Sequence, residues 1–159
     1  MVGETTKADA DLIAMWDKAC QHDQRGKRNA KKSTSSEHTL QVKCVQYFRH
    51  AFPEYDELLF AIPNGGKRNV RVAVKLKAEG VVSGVPDLFL AIPSGEWHGL
   101  FIEMKNGKSN DVTDNQQRIM FKLAMQKYKT AVARSYEDFC KIIQEYLYER
   151  EKCCNFARD

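Results

Sequence analysis

Apolar positions along this chain recur with two periods, one helical and one of alternating strands. Residues 8 to about 23 (ADADLIAMWDKACQHD) put Leu12, Ile13, Trp16 and Cys20 on one face, which predicts a short helix. The polar, basic stretch RGKRNAKKSTSS follows and reads as a linker or arm. Ser35 or Ser36 can cap a second helix running to about His50. Its apolar positions are Leu40, Cys44, Tyr47, Phe48 and Ala51, and Pro53 lies just past its end. LLFAIP (58–63), closed by Asn64-Gly65-Gly66, predicts a strand. NVRVAVKLKAEG (69–80) returns to helical spacing, with Val70, Ala73, Val74 and Lys77 on one face and Gly80 at its C-terminus. DLFLAIP (87–93) and GLFIEMK (99–105) predict two strands, joined through Ser94-Gly95-Glu96 as an antiparallel hairpin. Thr113-Asp114-Asn115-Gln116 matches a capping box and opens a helix to about Lys127. TAVARS (130–135) is a further strand, and Ser135 starts a last helix through about Tyr148.

From residue 35 onward this order predicts an α/β fold with a mixed sheet flanked by helices. At 159 residues the chain has the size of one domain. We divide it into an N-terminal helix and basic arm (1–34), a main domain (35–150) and a C-terminal tail (151–159). No apolar run approaches the ~20 residues of a membrane span. The N-terminus lacks the basic and apolar regions of a secretory signal, so the expected location is cytoplasmic.

The net charge of +4 is modest, but its distribution is uneven. Arg25, Lys27, Arg28, Lys31 and Lys32 form one cluster, and Lys67, Arg68, Arg71, Lys75 and Lys77 another. Both suit a nucleic-acid phosphate backbone, and both suit a solvated tail and helix face equally well. The five cysteines (Cys20, Cys44, Cys140, Cys153, Cys154) are odd in number and contain no CxxC pair, so reduced thiols are expected. His22, His38, His50 and His98 show no ligand spacing. Trp16, Trp97, Tyr47 and Phe48 read as packing residues.

The chemistry concentrates in residues 86–105. Pro86-Asp87 opens one predicted strand, and Glu103-Met104-Lys105 closes the next. Residues two apart on a strand share a face, so Glu103 and Lys105 project together while Met104 points away. A hairpin brings Asp87 beside them. Two carboxylates converging at a sheet end make a hard-oxygen site suited to Mg²⁺ or Mn²⁺. A lysine beside it can orient or deprotonate water, or neutralise developing phosphate charge. These are the parts of metal-assisted phosphodiester hydrolysis. Asp after Pro is also common at turns, and E-x-K can be a plain surface pair. Against that, charges inside the apolar strand GLFIEMK need a reason to be there.

The stretch IPNGGKRN…KLKAEGVVSGVPDLFLAIP…GLFIEMK…VTDNQQ resembles the VRR-NUC domain, a branch of the PD-(D/E)xK nuclease superfamily, from about Glu37 to about Tyr148. The resemblance implies the restriction-endonuclease-like core of that superfamily. It implies that Asp87 and Glu103 are metal ligands, that Lys105 is the catalytic lysine and that the Met104 carbonyl completes the coordination. Glu37 is implied as a further ligand, although an acid at a helix N-terminus is also favoured by the helix dipole. Gln116 matches the family glutamine, and neighbouring Gln117 fits less well; Gln116 could also serve only as a cap. Asn64, Gly65, Gly66, Lys67 and Arg68 match the family's PNGGKR segment, where the glycine turn permits close approach to a phosphate.

The expectation is therefore an Mg²⁺- or Mn²⁺-dependent endodeoxyribonuclease. The resemblance implies replication and repair contexts. A small nuclease often works as a homodimer that cuts two strands, so branched DNA, in particular a four-way Holliday junction, is the expected substrate. The apolar faces of the first and last helices of the main domain are candidate dimer surfaces, and the 8–23 helix could swap onto a partner. Lys27, Arg28, Lys31 and Lys32 would assist in holding DNA. The alternatives are a restriction- or homing-like duplex endonuclease and a non-catalytic nucleic-acid-binding module.

Overall fold

The computed structural model describes residues 37–63, 70–107 and 111–156. The expected 8–23 helix, the basic arm with Lys27, Arg28, Lys31 and Lys32, the caps Ser35 and Ser36, and the Asn64, Gly65, Gly66, Lys67, Arg68 turn lie outside the described residues. In chain order the elements are α1 (Glu37–Ala51), a 3-10 turn (Pro53–Leu58), β1 (Leu59–Ala61), α2 (Val70–Ala78), β2 (Leu88–Leu90), β3 (Leu100–Met104), α3 (Asp114–Met125), β4 (Lys129–Ala133) and α4 (Tyr136–Phe156). This is the expected α/β order.

The sheet runs β1-β2-β3-β4. β1, β2 and β3 pair antiparallel, whereas β4 is parallel to β3. A parallel neighbour needs a crossover, and α3 supplies it. The register pairs Leu88 with Ile102, Phe89 with Phe101 and Leu90 with Leu100, so the two central strands form the hairpin read from the sequence.

Alternation splits the sheet into two unlike faces. Leu88, Leu90, Leu100, Ile102 and Met104 point to one face and are fully buried. α1 and α4 pack there, contributing Leu40, Cys44 and Phe48 from α1 and Phe139, Ile143 and Tyr146 from α4. Two hydrogen bonds tie the hairpin to α4: the Ser94 hydroxyl donates to the Tyr146 carbonyl at 2.6 Å, and the Tyr146 hydroxyl donates to the Ile92 carbonyl at 2.7 Å. Burial pushes the Cys44 thiol up to about 12, which makes it a packing group and not a nucleophile. The opposite face carries the ladder Phe60, Phe89, Phe101, with the Phe89 and Phe101 rings 4.4 Å apart, and beyond it the charged residues of the hairpin end.

Several expectations need correction. The apolar faces of α1 and α4 are consumed by the chain's own core, so they do not supply a dimer surface. The α2 face with Ala73, Val74 and Lys77 is exposed, and Leu76 is only partly covered. α3 stops at Met125, two residues early: Lys127 adopts φ 58 and Tyr128 N–H returns to the Leu123 carbonyl at 3.1 Å. That is a left-handed helix stop without the usual glycine. α4 continues to Phe156, through the segment expected as a tail, because no Gly or Pro interrupts it.

The core assignment is testable by urea unfolding. Ile143→Ala should lower stability by ~2–5 kcal/mol, whereas Val74→Ala on exposed α2 should stay within ~0.5 kcal/mol.

Candidate metal centre

Asp87 lies at the start of β2 and is fixed from both sides. Its backbone carbonyl accepts from the Ile62 N–H at 2.7 Å, which extends the β1–β2 ladder. Its carboxylate Oδ2 accepts from the Met104 N–H at 2.9 Å, across the hairpin. Met104 thus contacts Asp87 through its N–H, while its side chain is buried in the core.

Glu103 is the most constrained group. It sits in central strand β3 with 1% exposure. Lys105, two residues on and on the same face, places Nζ 3.0 Å from Glu103 Oε1 and is itself buried. Gln116 Nε2 also donates to Glu103 Oε1. Gln116 belongs to the first turn of α3, where its Oε1 accepts from the Thr113 N–H at 3.0 Å while Thr113 Oγ1 accepts from the Gln116 N–H at 3.3 Å. One amide thus both caps the helix and holds the Glu103 carboxylate. Gln117 instead donates to the Val112 carbonyl at 3.1 Å.

Glu37 arrives from the other layer. It begins α1, three residues before Leu40 and seven before Cys44, so helical spacing places it on the stripe facing the sheet. Ligand oxygens of Glu37, Asp87 and Glu103 all lie within 4.8 Å of one another. Three carboxylates this close repel, and burial penalises each charge. Burial pushes Glu103 up to about 7, opposed by its hydrogen bond to Lys105 and increased by neighbouring Asp87 and Glu37. Burial also raises Asp87, against the lowering by the Met104 N–H and Lys105.

One atom tests whether a cation fits. Glu103 Oε2 is buried and has no hydrogen-bond partner among the described residues. Its sister oxygen carries both the Lys105 and the Gln116 contacts. A buried carboxylate oxygen without a donor is costly unless something positive meets it. An all-oxygen set of three carboxylates, one oxygen orphaned, fits a hard divalent cation such as Mg²⁺ or Mn²⁺.

Sequence reading missed the residue that joins the halves of the site. Asn115 Nδ2 donates to the Ser83 carbonyl at 2.9 Å and to its hydroxyl at 3.3 Å, and Arg118 steadies Asn115 Oδ1 at 2.9 Å. The α3 N-terminus is thereby latched to the loop leading into Asp87. Gly84 makes this approach possible: at φ +89, a Cβ there would lie 2.5 Å from Asn115 Nδ2 and 3.0 Å from its carbonyl. The sequence signal was the SGVPD segment itself, whose glycine has no partner visible until α3 is placed.

Two measurements check this geometry. Gly84→Ala should lower stability by ~1–3 kcal/mol in urea unfolding, through backbone strain and the lost approach. Glu103 in the fold titrates at about 7 against the usual 4.5, so its contribution to stability is fully present below 4.5 and lost as pH rises through about 7. Without divalent metal, the melting temperature should fall between pH 5 and pH 8. Glu103→Gln should flatten that fall, and saturating Mg²⁺ should restore most of it. A wild-type profile as flat as the variant's would contradict this assignment.

A family model for the VRR-NUC domain matches residues 21–137. Among solved structures, the chain is similar to one described as a VRR_NUC domain protein, with 26% sequence identity and a TM-score of 0.64. That match covers 76% of this chain and 93% of the other. No curated protein matches the chain. With a hydrophobic sheet face under α1 and α4, and an acidic centre on the end of its central hairpin, the chain belongs to the VRR-NUC nuclease-domain family.

Proposed function

We propose that this protein is a divalent-metal-dependent endonuclease that hydrolyses DNA phosphodiesters. The observation that carries the reading is the convergence of Glu37, Asp87 and Glu103 around one orphaned carboxylate oxygen, with the Lys105 ammonium beside it. Glu37, Asp87 and Glu103 would hold Mg²⁺ or Mn²⁺, joined by the Met104 carbonyl. A bound divalent ion supplies Lewis-acid polarisation of a phosphate and a more acidic water.

The chain's own groups do the rest. Gln116 and Lys105 hold Glu103 Oε1, which would leave Oε2 to meet a bound cation. The Met104 N–H holds Asp87 in the same way. Lys105, three donors on a stem pinned against Glu103, would orient the attacking water and face the charge that develops on phosphate. Asn64, Gly65, Gly66, Lys67 and Arg68 would cradle the backbone, aided by Lys27, Arg28, Lys31 and Lys32.

Branched DNA, cut at a four-way junction by a homodimer, is the substrate we favour. Exposed apolar side chains Phe121 and Met125, one helical turn apart on α3, support a self-associating surface better than the buried faces of α1 and α4 do.

The test uses labelled four-way junction, splayed-arm, flap, single-stranded and duplex DNA in Mg²⁺ and in Mn²⁺. Wild type should place paired symmetric nicks at the junction. Asp87→Asn and Lys105→Ala should each slow cleavage by ~10²-fold or more, and Gln116→Ala by ~10–100-fold. Cleavage of other forms alone would remove the junction reading. Tight binding without cleavage of any substrate would replace the nuclease with a binding module.

A further inference from the structure

The sheet face that carries the acidic centre continues as aromatic rings. Asp87 and Phe89 are two residues apart along β2, and Phe101 and Glu103 two apart along β3, so all four side chains leave the same face. Phe60 of β1 stands opposite Phe89 in register, one strand further out. Two residues span ~6.6 Å along a strand, and neighbouring strands lie ~4.8 Å apart. By these spacings Phe60 starts ~8 Å from Asp87, within reach of a nucleotide whose phosphate sits at the centre.

The inner rings are held in place. Phe89 and Phe101 lie 4.4 Å apart at 33°, and Tyr128 makes edge contacts to both, at 5.9 and 5.5 Å. Gly99 admits this stack, because a Cβ there would lie 2.7 Å from the Phe89 ring. Phe60 joins at 5.6 Å, turned 75° from Phe89. Unlike the inner rings, Phe60 is 47% exposed, and it stands on the edge strand of the sheet. An exposed apolar side chain there invites self-association, which edges usually avoid with charge. The hydrophobic core does not require it: among the described residues, every buried apolar side chain of the sheet points to the other face. An exposed ring beside a phosphodiester site suits a nucleobase, since every base has a π face to stack. A base within a duplex already gives both faces to its neighbours, so only an unpaired or extruded base has one free.

We propose that Phe60 is a base-stacking residue that receives an unpaired nucleobase beside the phosphate at the acidic centre. It thereby selects nucleic acids with a single-stranded, splayed or extruded segment over uninterrupted duplex. The inference rests on the nuclease reading above. Phe89 and Phe101 serve as the rigid backing against which Phe60 is set.

The test places the fluorescent base 2-aminopurine at successive positions around the fork of a splayed-arm DNA, and in single-stranded and linear duplex DNA. Binding is followed in Ca²⁺, which takes oxygen ligands as Mg²⁺ does. Wild type should quench the probe at one position beside the fork, as ring stacking does. Phe60→Ala should abolish that quenching and weaken binding to splayed and single-stranded DNA ~10-fold, with duplex affinity unchanged. Phe60→Tyr, which keeps the ring, should retain both. Phe60→Leu keeps apolar bulk without a ring and should behave as the alanine variant; it is the probe if Phe60→Ala fails a melting check. Absence of quenching by wild type, wild-type quenching and affinity in Phe60→Ala or Phe60→Leu, or an equal loss on duplex would overturn the proposal. So would unaltered stacking in Phe60→Ala accompanied by a change in the sedimentation of the DNA-free protein, which would make Phe60 a contact between protein chains. The parent reading fails separately, when wild type cuts none of the DNA forms in Mg²⁺ or Mn²⁺.

Discussion

A glutamate buried in the central strand sets the terms for everything around it. Glu103 is 1% exposed, on the face of β3 opposite the buried Leu100, Ile102 and Met104. A charge in that setting must be met by partners or it neutralises. Lys105 and Gln116 meet one oxygen and leave the other without a partner among the described residues. Asp87 and Glu37 add repulsion instead of relief. A structure that gathers three carboxylates within 4.8 Å gives up stability in its metal-free form. The arrangement makes physical sense as a cation-binding site, and much less sense as a structural ion cluster.

The two-faced sheet is what allows this. One face is uninterrupted hydrocarbon under α1 and α4, anchored by Tyr146 and Ser94. It supplies the stability that the other face spends on carboxylates. Two of the helices, α1 and α3, also deliver one residue each to the centre. The first turn of α1 brings Glu37 over the sheet end, and the first turn of α3 brings Gln116. Helix starts suit this task, because unpaired N–H groups favour carboxylates near them and a capping residue already holds a fixed rotamer.

How much of this could be read from the sequence depends on distance along the chain. Local signals were reliable: the capping box at Thr113 and Gln116, the glycine stop at Gly80 (φ +97) and the hairpin around Gly95 all follow from a few neighbouring residues. Glu103 and Lys105 were legible because period two fixes their shared face, and the register of Leu88 with Ile102 then brings Asp87 to them. Glu37 lies 50 residues from Asp87 in the chain. Nothing in its own helix distinguishes a ligand from a dipole-stabilising acid, so only the family resemblance pointed to it. Gln116 was open for the same reason. The left-handed Lys127 and the run of α4 to Phe156 escaped because tertiary context, not local pattern, decided them. The Asn64–Arg68 turn and the arm around Lys27 lie outside the described residues and stay as expectations.

The Asn115 latch explains why these distant parts can act as one site. Asp87 and Gln116 belong to separate elements, and each reaches Glu103 by a different route: Asp87 through the Met104 N–H, Gln116 through its own amide. Without a link, the crossover helix could shift relative to the hairpin and take Gln116 away from Glu103. Asn115, one residue before Gln116, is bonded to Ser83, four residues before Asp87. Gly84 between them has no side chain to hold the helix off. A displacement of either segment would therefore be transmitted to the other. Precision of a few tenths of an ångström at a metal centre comes from such closed loops of short contacts more than from any single strong bond. Here the loop runs from Asp87 through Met104, Glu103, Gln116 and Asn115 to Ser83, and residues 84–86 close it along the chain.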